Sequence, residues 1–272
     1  NLPRKFKMTI TGCRDDCAQS QINDVGLVPA RKEIDGESYY GFHARVGGGH
    51  AHPDALHLDV HAYGKLLLTD PGTGGYNDEV PASYWQRQTT IAHNTIQIDN
   101  KPQSLDEQCE SGLDFDTCEI FDLATAWHEA YPGFRHERRI LFVKPSFWIV
   151  SDYVKAPEGT HDYRQTWHPA RHNNVTVDER TGKAETHFAS GPNVQILPAD
   201  PQELKAEIAE GFMDSMPEKY VVYAKEGIQG DTTFDTVIYP APEGEETDVQ
   251  VRRVTVKSAD EQLEPTQETA LE

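Results

Sequence analysis

The sequence predicts a mainly β protein, an antiparallel β-sandwich preceded by a short α/β fragment that is not autonomous. Three observations predict it. Apolar and polar residues alternate with period two, as in Leu56-His57-Leu58-Asp59-Val60-His61-Ala62 and Thr95-Ile96-Gln97-Ile98-Asp99, the pattern of half-buried strands. Pro, Gly and Asp turn signals separate such runs at short intervals. Helical spacing is nearly missing, the one good candidate being Pro201 to Glu210.

Taken in order, a basic start leads into a β-like stretch from Phe6 to Thr11, a polar turn, and Asp24 to Val28. A turn is expected at 31–40 around Asp35-Gly36, then a strand from Tyr39 to Val46, which Gly47-Gly48-Gly49 ends. Leu56 to Ala62 reads as a strand, Gly64-Lys65 as a turn and Leu66 to Leu68 as the return. Thr95 to Asp99 stops at Asn100-Lys101-Pro102. Between Arg138 and Val154, two apolar runs flank Lys144-Pro145-Ser146 and read as a hairpin. Later strand candidates are Asn174 to Val177, Val194 to Leu197, Lys219 to Ala224, Thr233 to Pro240 and Val249 to Val256. Three parts follow: 1–49, a fragment; 50–257, the sandwich; and 258–272, an acidic tail without periodicity.

The chain has 272 residues and a formal net charge of −20. Residues 1–49 carry seven Lys/Arg against six Asp/Glu, so the acidity belongs to the remainder. Such a surface argues against nucleic acid or an anionic membrane as partner. No apolar run reaches the roughly 18–20 residues that span a bilayer, so no membrane insertion is expected. The start at Asn1, without an apolar leader, reads as that of a processed or truncated piece. Four cysteines, in the local pairs Cys13/Cys17 and Cys109/Cys118, are too few for a disulfide scaffold.

The densest chemistry lies in His50-Ala-His52-Pro-Asp54, Thr69-Asp70-Pro71-Gly72 and Ile91-Ala92-His93-Asn94-Thr95. On a strand, positions 50, 52 and 54 share a face, Asp70 ends the returning strand, and His93 stands at the mouth of the next. Three strand ends could then supply His52, Asp70 and His93 to a zinc ion, with a fourth position left for water or a substrate oxygen. Spacing alone leaves a second reading open, in which three of twelve histidines merely lie near turns. Given a metal, a structural role is favoured, because nothing nearby reads as an activated water with its own general base.

These segments, in this order, resemble the C-terminal β-domain of the heparinase II/III-like polysaccharide lyases, a superfamily that includes relatives acting on alginate oligomers. The stretches Phe134-Arg135-His136-Glu137-Arg138-Arg139-Ile140-Leu141-Phe142 and Ser146-Phe147-Trp148-Ile149-Val150-Ser151-Asp152 carry the resemblance on, to at least Pro169. It implies that His52, Asp70 and His93 ligate zinc and that His50 faces a uronic-acid-containing glycan and helps neutralise its carboxylate. It implies β-elimination, in which a base takes the proton beside that carboxylate and an acid serves the leaving oxygen. In the family a tyrosine on an N-terminal α/α toroid does the proton chemistry, and it often works in the periplasm or outside the cell. No stretch reads as that toroid, and Tyr63, Tyr76, Tyr84 and Tyr131 lie outside its motifs, so weak or no activity is expected of this chain alone.

The first 49 residues resemble a different family. Leu2-Pro3-Arg4-Lys5-Phe6-Lys7, Thr11-Gly12-Cys13-Arg14-Asp15-Asp16-Cys17, Ile22 to Leu27 and Tyr40 to Gly49 resemble the central stretch of sirohaem-dependent nitrite and sulfite reductases. The resemblance makes Lys5 and Lys7 the cations that hold the small oxyanion beside the haem iron. A [4Fe–4S] cluster needs four thiolates, and Cys13 and Cys17 have no upstream pair, so neither cluster nor sirohaem is expected. An oxidoreductase fragment is thus the alternative to a lyase module, with a non-catalytic sugar-binding sandwich as a third reading. Both partners look cut, and they meet at Gly47-Gly48-Gly49, which points to a mis-joined gene model or to recombination.

Overall fold

A computed structural model describes the backbone of residues 8–10, 25–34 and 37–46, and side chains as well over 52–72, 77, 79–105, 109–245 and 247–254. Strands β1 (Met8–Ile10), β2 (Val25–Ile34) and β3 (Glu37–Val46) form a sheet of their own. β1 runs parallel to β2, and β2 antiparallel to β3. β2 continues through positions 31–34, where a turn was expected, because it stays paired with β3 along its whole length.

The remaining strands follow in chain order: β4 (Val60–Ala62), β5 (Lys65–Leu68), β6 (Ile96–Ile98), β7 (Ser111–Thr117), β8 (Phe121–His128), β9 (Arg135–Val143), β10 (Phe147–Lys155), β11 (Thr160–Trp167), β12 (Thr176–Val177), β13 (Ala184–Glu185), β14 (Asn193–Pro198), β15 (Lys205–Met213), β16 (Met216–Gln229) and β17 (Thr232–Ala241). One α-helix among the described residues, α1 (Pro81–Gln88), starts on a proline, whose missing N–H costs nothing in a first turn. No helix among the described residues is long and apolar enough to cross a membrane.

Two antiparallel sheets face each other. The larger has eight strands in the order β12-β13-β14-β17-β10-β9-β8-β7, and the smaller four, β15-β16-β11-β6. Alternation decides what lies between them. Val150 and Val154 of β10, Val194 and Ile196 of β14, and Phe234 and Ile238 of β17 meet Ile96 and Ile98 of β6, Tyr163 and Trp167 of β11, and Val221 and Tyr223 of β16. β16 is buried on both faces at its centre, since Tyr220, Val222 and Ala224 point the other way, under Trp85 and Ile91. The small sheet is therefore covered on its outer face by α1 and the turn after it.

Three expectations are corrected here, and one element was missed. Pro201 to Glu210 is not a helix: Pro201–Glu203 is a single 3-10 turn, and Lys205 onward is β15, paired with β16 along its whole length. Residues with good helix propensity (Lys, Ala, Glu) were overridden by that pairing. The strand expected from Leu56 begins only at Val60, because Leu56 sits at φ +62°, in the left-handed region. No strand runs through the described part of Val249 to Val256. The helix α1 was not anticipated at all.

Candidate metal centre

Asp70 follows β5, whose end pairs with the chain just beyond β11: Leu68 bridges Pro169, Thr69 N–H donates to His168 O, and Ala170 N–H donates to Leu67 O. His93 follows a 3-10 turn (Thr90–Ala92) and leads into β6. Its carbonyl accepts from Thr166 Oγ1 of β11, while His168 N–H donates to Asn94 Oδ1. The end of β11 thus holds both segments.

The loop carrying His52 and Asp54 has no regular structure between residues 52 and 57, contrary to the strand expected there. Side chains hold it instead. Thr90 Oγ1 donates to Pro53 O, and the Gln103 amide accepts from Ala55 N–H and donates to Ala55 O. Thr95 Oγ1 also donates to Ala55 O, Arg138 donates to Leu56 O, and Asn94 Nδ2 donates to Leu58 O.

These loops bring His52, Asp54, Asp70 and His93 together, with one ligand atom from each lying within 4.8 Å of the others. His52, Asp54 and His93 are buried, and Asp70 partly so. The His52 and His93 rings stack with centroids 5.6 Å apart. His93 Nδ1 lies 3.1 Å from Asp70 Oδ2, while His93 Nε2 is buried without a hydrogen-bond partner among the described residues. Two ligand atoms on one tetrahedral zinc stand roughly 3.3 Å apart. The 3.1 Å separation thus serves as a hydrogen bond without a metal and as a polyhedron edge with one. Two imidazoles and two carboxylates gathered this closely, three of the four side chains buried, form a donor set that fits a small divalent ion.

A second layer supports the first. His57 Nδ1 accepts from Asn94 N–H, which places the ring proton on Nε2, 3.0 Å from Asp59 Oδ1. The same Asp59 oxygen accepts from Asp70 N–H. Asp70 Oδ1 accepts from Gly72 N–H, and Gln86 of α1 donates to Pro71 O. The backbone on either side of Asp70 is therefore fixed.

Of the residues singled out in the sequence, His52, Asp70 and His93 meet in this cluster. His50, Lys5, Lys7, Cys13, Cys17 and Tyr76 lie outside the described residues. Tyr131 is buried, with its hydroxyl near Ile96 O and Lys101 O, and burial raises its pKa. Tyr63 and Tyr84 are exposed. Asp54 was visible in the motif but not assigned as a ligand. The supporting Asp59, Asn94, Gln103 and Arg138 had no signal of their own, since each contacts backbone atoms remote in sequence: Asp70 N–H, Leu58 O, Ala55 and Leu56 O in turn.

Residues 1–60 match the nitrite and sulphite reductase 4Fe-4S domain family. Over 49 residues the chain is 65% identical to an assimilatory ferredoxin-dependent nitrite reductase of Haloferax mediterranei, covering 18% of this chain and 8% of that protein. Over 217 residues it is 24% identical to a heparin-sulfate lyase of Pedobacter heparinus, covering 76% of this chain and 32% of that one. It therefore spans about a third of that lyase and less than a tenth of the reductase. The crystal structure of a heparan sulfate lyase from Pedobacter heparinus superposes with a TM-score of 0.68 at 20% identity, covering 85% of this chain and 37% of that one. A heparinase III structure gives a TM-score of 0.65 at 15% identity, over 87% of this chain and 38% of that one. The larger match runs from residue 40 to residue 240, three quarters of the chain, and by it the chain belongs to the family described as heparinase II/III-like, C-terminal.

Proposed function

We propose that the chain carries the β-domain of a zinc-containing polysaccharide lyase, whose full-length form cleaves uronic-acid-containing glycans by β-elimination. The convergence of His52, Asp54, Asp70 and His93 carries this reading. His52, Asp70 and His93 would hold the zinc, with Asp54 as a fourth residue and second carboxylate beside them. Bound there, zinc would supply a cross-link between three chain segments. Four protein donors in a buried cluster suit a structural site better than one with an open position. His50, two residues before His52, is the residue proposed to meet the uronate.

The chain's own residues orient and bind in this reading, and proton abstraction is assigned to a tyrosine on an α/α toroid rather than to any tyrosine of the β-domain. Weak or no activity alone is therefore proposed, with neither sirohaem nor an iron–sulfur cluster on the first 49 residues. Metal analysis of the purified chain tests the centre: about one zinc per chain is expected, lost on His52→Ala or His93→Ala. A metal-free chain that takes up no added zinc would refute it. Incubation with heparan sulfate and alginate should give little or no ultraviolet absorbance from unsaturated uronate. A Soret band with bound iron would favour the reductase alternative.

A further inference from the structure

We propose that Arg138 and Asp152, backed by His136, Gln165 and His128, are positioning residues for the metal centre. From inside the sandwich they fix the spacing between the loop that carries His52 and Asp54 and the segment that carries His93. The inference rests on the metal reading above and goes beyond it, because none of these five side chains belongs to the ligand cluster.

Arg138 of β9 and Asp152 of β10 are directly opposite in the ladder, and both are buried. Arg138 Nε lies 2.7 Å from Asp152 Oδ1, and one terminal nitrogen lies 2.8 Å from Oδ2, a bidentate pair. The other terminal nitrogen donates to two carbonyls, Leu56 O and Asn94 O, each at 2.6 Å. Leu56 is two residues after Asp54, and Asn94 is the residue after His93. One guanidinium nitrogen thus ties together the two segments whose separation sets the size of the cluster. The grip also holds Leu56 at its positive φ, a conformation that the residue would not keep by itself.

The grip is rigid because the carboxylate behind it is saturated. Asp152 Oδ1 also accepts from His136 Nε2 at 2.7 Å, and Oδ2 accepts from Gln165 Nε2 at 2.8 Å. Gln165 is fixed in turn through its oxygen, which accepts from Trp167 Nε1 and Thr236 Oγ1. The proton positions follow. Ala130 N–H donates to His128 Nδ1, so His128 carries its proton on Nε2 and gives it to His136 Nδ1 at 3.2 Å. His136 then carries its own proton on Nε2, facing Asp152. Each link has one donor and one acceptor, with both rings neutral.

Stability alone does not account for this arrangement. A buried ion pair is often no more stabilising than an apolar pair of the same volume. Here the N–H groups left over after pairing leave the sandwich core and reach the two metal-bearing segments. A lysine keeps the charge but cannot hold the carboxylate with two bonds and also reach both carbonyls.

The test compares the full chain with Arg138→Lys, and with Tyr223→Phe as a control. Tyr223 is equally buried, but its single O–H lies within reach of Gly182 O and Ile196 O, away from the loops. Zinc affinity is measured by competition with a chromophoric chelator, and near-ultraviolet circular dichroism checks the metal-free fold. Arg138→Lys is expected to weaken zinc about 10- to 100-fold with native dichroism retained. Tyr223→Phe should lower the Tm and leave zinc affinity within about twofold. Should Arg138→Lys not fold, the double variant Arg138→Met/Asp152→Leu, which leaves no buried charge, is held to the same criterion. A folded variant with wild-type zinc affinity overturns the proposal. A wild-type chain that binds no zinc overturns the metal reading itself, and this proposal with it.

Discussion

His93 is the residue on which most of the site converges. Its Nδ1 meets Asp70, its ring stacks on His52, and its carbonyl is taken by Thr166. Replacing it by alanine removes a donor and leaves two carboxylates close together. His93→Ala is therefore expected to lose zinc by more than the roughly 10–100-fold typical of outer-sphere changes, read by chelator competition. Asp59→Ala should fall within that range, because Asp59 only steers Asp70 and His57. Equal losses in the two variants would contradict this ordering. At this scale the residues that gather in the cluster were legible and their supports were not. His52, Asp70 and His93 stood out because they lie in three short motifs whose order along the chain carries the family resemblance, whereas Asn94 and Gln103 act on carbonyls some 36 to 48 positions away in sequence.

Helix α1 is one of the elements that the sequence concealed. Its eight residues include one apolar aromatic with a clear purpose, Trp85, which packs against Phe212, Tyr220 and His168 on the outer face of the small sheet. Gly211 of β15 makes the seat, since a Cβ there would stand 2.5 Å from the indole ring. Gly211→Ala should therefore push Trp85 out and cost about 1–3 kcal/mol. The change is readable as a lower urea midpoint and a red-shifted tryptophan emission, and an unchanged midpoint would show that α1 docks by other contacts. The β9–β10 hairpin was readable because its apolar runs flank Lys144-Pro145-Ser146. β11 was not, because its core-facing positions include the polar Gln165 amid a polar strand. β15 was misread because its composition favours a helix, and only the presence of β16 makes it a strand.

At the scale of the whole molecule, buried histidines and surface acidity oppose each other as the pH falls. Burial lowers the pKa of His128, and neighbouring His136 and Arg138 lower it further. Burial also lowers His136, against the pull of Asp152, and brings His168 down to about 3 from its ordinary 6.5. Each ring is neutral in the fold and more basic once unfolded, so the unfolded chain binds more protons between pH 6.5 and about 3. Stability contributed by these rings is full above 6.5 and is lost as the pH falls through that window. Asp152, which burial would raise but Arg138 and His136 hold well below the usual carboxylate range, adds a further loss at the acid end. The net charge of −20 acts the other way, because protonating surface carboxylates relaxes self-repulsion. That relaxation begins only as the pH approaches carboxylate values near 4, well below the onset of histidine protonation. The metal-free protein, held in chelator so that zinc release does not contribute, should therefore lose Tm steadily from pH 6.5 to about 5. At fixed neutral pH, where the histidines are silent and only the acidic surface responds, added salt should raise the Tm by screening. A Tm that climbs on acidification through this window would mean that charge relief outweighs the buried imidazoles, and a salt-insensitive Tm would remove the repulsion from the argument.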